Sequence, residues 1–187
     1  LVLCTFARAE QSQQMMYSKG HLGMNALSII LARGGNSRNR IAFLGGVRTD
    51  YYPSNVLGIF VGGDFTSRGT ELMSGETASA SFTDWIGGLA LRHSSLIFSE
   101  SSKSFSHFGP YLSIPLGPLK AGSVEIQQSQ ISIGAYIDTE LLFPIGDPWL
   151  LGLKIWAKAG LTDSFKQSEL SQLRSIVETG LGICVSY

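Results

Sequence analysis

The chain has 187 residues, sets 14 Lys and Arg against 14 Asp and Glu, and is only 15% charged. That length suits one domain with a sizeable core, and the sparse, balanced charge excludes a basic field for nucleic acid. No apolar run reaches the roughly 18–20 residues that a membrane-spanning helix needs, so any crossing of a bilayer falls to strands.

The opening LVLCTFARAE reads as the remnant of a secretory signal over residues 1–9: apolar Leu1 to Phe6, then Ala7-Arg8-Ala9 in the small-x-small form that precedes cleavage. A short N-terminal strand is the alternative. Residues 10–187 are then the folded domain. Two cysteines, Cys4 and Cys184, are too few for a disulfide framework.

From there the chain repeats one grammar, apolar and small-or-polar residues in alternation, which is the period of a strand. HLGMNALSIIL is a weak first case. IAFLGGVRTDYY sets Ile41, Phe43, Val47 and Tyr51 against Gly46, Arg48 and Asp50. A turn at Pro53-Ser54-Asn55 leads into NVLGIFVGGDFTSRG, where Leu57, Ile59, Val61 and Phe65 oppose Gly58, Gly62, Asp64 and Thr66. TDWIGGLALRH and HFGPYLSIPL follow, the latter with two prolines that favour an edge, a bulge or an end. QISIGAYIDTELLF and WLLGLKIWAKAGL make a long hairpin around PIGDP, and VETGLGICVSY ends the series. The total is eight strands. Only KQSELSQL, within 166–173, has apolar residues at a helical spacing.

Charge assigns the faces. Arg48, Asp50, Asp64, Arg92, Asp138, Glu140, Lys154, Lys158 and Glu178 share the small face of their strands with Gly46, Gly58, Gly62, Gly88, Gly134, Gly152, Gly160, Gly180 and Gly182. Glycines suit a crowded lumen, and eight strands leave an interior just wide enough for side chains to fill. The expectation is an all-β, eight-stranded, antiparallel, up-and-down transmembrane β-barrel with those nine charges as a lumenal ion network. A soluble lipocalin-like carrier, apolar inside and charged outside, is the alternative. Tyr51, Tyr52, Phe143, Trp149 and Tyr187 stand beside the short turns, where an interfacial aromatic girdle belongs. With the termini periplasmic, DYYPSN and FPIGDP are periplasmic turns. ARGGNSRNR, SRGTELMSGETASASFT, GPLKAGSVEIQQ and TDSFKQSELSQLR are then the external loops.

On these features the chain resembles the small bacterial outer-membrane β-barrel proteins, including the OmpA transmembrane domain and PorT-like barrels. Gly182, Val185 and Tyr187 match the family's assembly signal, with Gly180 replacing the polar residue often found two before the first Gly. The resemblance implies an outer-membrane location and, as partners, outer-membrane lipid and the barrel-assembly machinery. The expected role is a non-enzymatic anchor or binding protein that meets a partner or ligand through its external loops, without cofactor or metal. His21 and His107 read as isolated strand-end residues. The enzyme alternative rests on His93 and Ser95, spaced like the His-x-Ser of barrel lipid A deacylases, with Leu96 in place of the usual Asn and no acid partner in sight.

Overall fold

The alternation that runs through the chain resolves into ten strands, eight of them closing a barrel. The structure, a computed structural model, describes residues 15–32, 42–71, 76–93, 102–166 and 173–187. The barrel strands are β1 (Met15–Ala32), β2 (Ala42–Tyr52), β3 (Leu57–Glu71), β4 (Thr77–His93), β5 (Lys103–Pro115), β8 (Ser132–Gly146), β9 (Trp149–Gly160) and β10 (Leu173–Ser186). Each pairs antiparallel with the next, and β1 meets β10 to close the ring. Between β5 and β8 lies a small hairpin, β6 (Leu119–Ala121) and β7 (Val124–Gln127), whose first strand pairs with the start of β4. Its turn is made by Gly122 at φ +57°, a conformation that favours glycine.

Closure fixes the slant. Following paired residues round the ring from Met16 leads through Tyr51, Ile59, Leu89, Phe108, Ile137, Ala157 and Thr179 back to β1 at Leu27. The path returns eleven positions from its start, one of them absorbed by a bulge between Asn25 and Leu27. A stagger of that size tilts the strands by about 35–45°. Strands of 11 to 18 residues are long enough for the roughly 9–11 that a tilted crossing uses.

The two faces differ completely. Along β9, Leu151, Leu153 and Ile155 are exposed on the outside while Lys154, Trp156 and Lys158 are buried within. Ile155 is 62% exposed and Lys154 only 1%. The same division holds on β8, with Ile133 and Ile137 out, Tyr136, Asp138 and Glu140 in. An apolar wall of this extent is unsustainable in water and natural in hydrocarbon. The soluble-carrier alternative, which needs the opposite orientation, fails here.

The sequence placed SRGTELMSGETASASFT in a long loop, but β3 continues to Glu71 and β4 begins at Thr77. Arg68 on one strand and Ala78, Ala80 and Phe82 on the other continue the inward row. Pro110 lies inside β5, at a gap in the β4–β5 ladder between Tyr111 and Phe108, where Gly87 and Gly88 stand opposite and no N–H is called for. The helical spacing noted near 166–173 falls largely on residues 167–172, outside the described residues, as do the signal remnant and Ser95.

Candidate functional site: a charged, closed lumen

Twelve acidic, basic and histidine side chains are buried in the described barrel: Lys19, Arg48, Asp50, Asp64, Arg68, Asp84, His107, Asp138, Glu140, Lys154, Lys158 and Glu178. They form two layers, separated by aromatic rings. In the layer nearer the short turns, Arg48 reaches across the lumen from β2. Its Nε meets Asp50 at 3.1 Å, its Nη1 meets Asp138 at 2.5 Å, and its Nη2 donates to Glu140. Lys19 bridges Asp50 (2.5 Å) and Glu140 (3.0 Å), and Lys154 lies 3.2 Å from Asp138. His107 sits between Asp138 (Nδ1, 2.5 Å) and Asp50 (Nε2, 2.9 Å), and Tyr136 donates its hydroxyl to Asp138.

In the layer nearer the loops, Arg68 donates to Glu178 and Ser113 and forks onto Asp84 at 2.9 and 3.1 Å. Lys158 joins Asp64 (2.9 Å) to Asp84 (2.7 Å). Each charge therefore meets an opposite one, through hydrogen bonds in every case but Lys154, whose ion pair with Asp138 is 3.2 Å, the condition under which ions survive desolvation. Aromatic faces add to this: Phe60 lies 5.5 Å from the Arg48 guanidinium and Phe82 lies 4.5 Å from that of Arg68.

Both ends are plugged. At the turn end Tyr17, Tyr52 and Phe105 form a ring cluster with centroids 5.3–6.0 Å apart. At the loop end Leu119, from the small hairpin, and Phe165 pack on Phe82, all fully buried.

The strand sequences explain how such large groups fit. Lys154 and Trp156 of β9 lie opposite Gly182 and Gly180 of β10, so bulk on one strand is matched by its absence on the next. Gly134 faces Tyr111 across β5 and β8, and a Cβ at Gly134 would run into the tyrosine ring.

Eight of the nine charges picked out in the sequence lie in these layers. Arg92 stands apart, half-buried near the turn end, with Nη1 3.1 Å from the Met15 sulfur and no carboxylate partner among the described residues. Four members were missed. Lys19 precedes the stretch read as the first strand, Arg68 was assigned to a loop, and Asp84 was passed over although it shares the parity of Arg92. His107, read as a solvated strand end, is instead fully buried. Its partners Asp50 and Asp138 lie 57 and 31 positions away, a distance no local pattern spans. Tyr52 also departs from expectation. It is fully buried among the lumenal rings, whereas Tyr51, Phe143, Trp149 and Tyr187 do face outward, the last two in contact with centroids 5.2 Å apart.

His107, Asp138 and Glu140 place their ligating atoms within 4.8 Å of one another. Arg48, Lys19 and Lys154 already supply positive charge to the two carboxylates, so a metal ion would have to displace a cation to bind. On the outer wall, exposed His93 contacts Ser106 (Nε2 to Oγ, 2.9 Å), and Ser106 contacts Thr139 at 3.1 Å. No carboxylate among the described residues orients that imidazole.

No protein-family model and no curated protein sequence matches the chain. Solved structures do match the fold. Neisserial surface protein A aligns with a TM-score of 0.59 at 13% identity, covering 92% of this chain and 97% of that one. The outer membrane protein OprG from Pseudomonas aeruginosa gives 0.58 at 10%, covering 92% and 95%. Ail, the attachment invasion locus protein of Yersinia pestis, in complex with the heparin analogue sucrose octasulfate, gives 0.51 at 11%, again over 92% and 95%. With its closed ring, apolar wall and ionic interior, the chain is an eight-stranded transmembrane β-barrel with the fold of small bacterial outer-membrane proteins.

Proposed function

We propose that this protein is a non-enzymatic anchor in the bacterial outer membrane, acting through the loops and the β6–β7 hairpin at its loop end. The observation that carries this reading is the filled lumen. Two ionic layers, with ring clusters above and below them, leave the interior to structural contacts, and function then falls to the ends. The short β2–β3 and β8–β9 turns on one side and the longer β1–β2, β5–β8 and β9–β10 connections on the other fit the usual periplasmic and external sides, with the β4–β5 connection (residues 94–102) a longer one on the turn side and the β3–β4 connection (residues 72–76) a shorter one opposite. That Ail, a barrel of the same fold, was solved with a heparin analogue supports a ligand-contact role for such a scaffold. In the same reading Gly182, Val185 and Tyr187 address the barrel-assembly machinery.

Trypsin added to intact cells tests the orientation. Cleavage after Lys120 or Lys166, both exposed at the loop end, with the barrel left membrane-bound, is the expected result. Protection of both sites until the envelope is lysed would reverse the assignment. Purified protein in planar bilayers should give no conductance steps, and open-pore steps would overturn the anchor reading.

A further inference from the structure

We propose that the lumen contains a buried proton-binding site at His107, whose ring is an imidazolium clamped between Asp50 and Asp138. Both ring nitrogens lie within hydrogen-bond distance of carboxylate oxygens, Nδ1 at 2.5 Å from Asp138 and Nε2 at 2.9 Å from Asp50. A neutral imidazole has a single N–H, so one of those contacts would set a ring lone pair against an anionic oxygen. With both nitrogens protonated, both contacts become charge-assisted hydrogen bonds.

The surroundings agree. His107 is fully buried on β5. From β2 it meets Asp50 and, through that carboxylate, Arg48 and the Lys19 ammonium of β1. From β8 it meets Asp138, which also accepts from Tyr136 and Arg48 and faces Lys154 of β9. From β3 the Phe60 ring abuts it edge-on at 5.1 Å, and Phe105 of its own strand stacks at 6.4 Å. Asp50 and Asp138 each meet fixed cations, Lys19 and Arg48 for the first, Arg48 and Lys154 for the second.

Nitrogen-15 NMR of the folded barrel in detergent micelles reads the site directly. The chain has three histidines, so the variant His21→Gln/His93→Gln leaves His107 as the sole imidazole and alters no member of the ion network described above. Two protonated ring nitrogens at neutral pH are the expected result. One protonated and one bare nitrogen, with the proton on a carboxyl or absent, would overturn the proposal.

Discussion

Lys158 holds two carboxylates from two different strands, Asp64 on β3 and Asp84 on β4, and is itself almost fully buried. Replacing it by Met removes the cation that Asp64 and Asp84 share, with Arg68 still on Asp84. Breaking a buried pair in this way costs about 3–5 kcal/mol, so Lys158→Met should clearly lower the unfolding temperature, measured by the loss of heat-modifiable migration on a gel. Lys158→Met with Asp84→Asn should recover part of the loss, since one orphaned charge goes with the cation. A fall in the double variant as large as in the single one would mean the coupling is not ionic. Which residues take part was only partly legible. Parity along a strand marked Asp138, Glu140, Lys154 and Lys158, because each stands in a long, clean alternation. His107 gave no such sign, since its neighbours Ser106 and Phe108 do not define a face and its partners come from β2 and β8.

At the scale of strands, the pairing of a bulky row with an empty one is the feature that makes the lumen possible. Gly180 faces Trp156 in register. A Leu at 180 would force the indole from its place, and overpacking of this kind costs about 1–3 kcal/mol. The expected outcome for Gly180→Leu is a lowered unfolding temperature, with Trp156→Leu in the same chain restoring it in part. Five barrel strands, β2, β3, β8, β9 and β10, were legible because each carries a long period-two pattern, and β1, β4 and β5 were read from weaker alternation. The β6–β7 hairpin was not, because three and four residues are too few to establish a period. Its turn glycine, Gly122, and the pairing of Ala121 with Ala78 emerge only once β4 is seen to start at Thr77.

For the whole molecule, the division between wall and lumen gives a spectroscopic test. Trp85 and Trp149 face outward, about half-exposed, while Trp156 is buried inside. In single-tryptophan variants reconstituted with brominated lipids, Trp85 and Trp149 fluorescence should be quenched and Trp156 fluorescence should persist. Quenching of Trp156 in preference to the other two would require an inverted barrel. Which residues share a face was readable from charge, with the glycines on the charged side arguing for turning that face inward. The arrangement of those ions into two layers was not, since the stagger between strands sets which residues share a level. That arrangement bears on biogenesis. A lone β9 in lipid would present Lys154 and Lys158 to acyl chains with no anion near, and a lone β8 would do the same with Asp138 and Glu140. Neither segment gains by entering before its counterpart arrives, so the ion pairs favour insertion of these strands together.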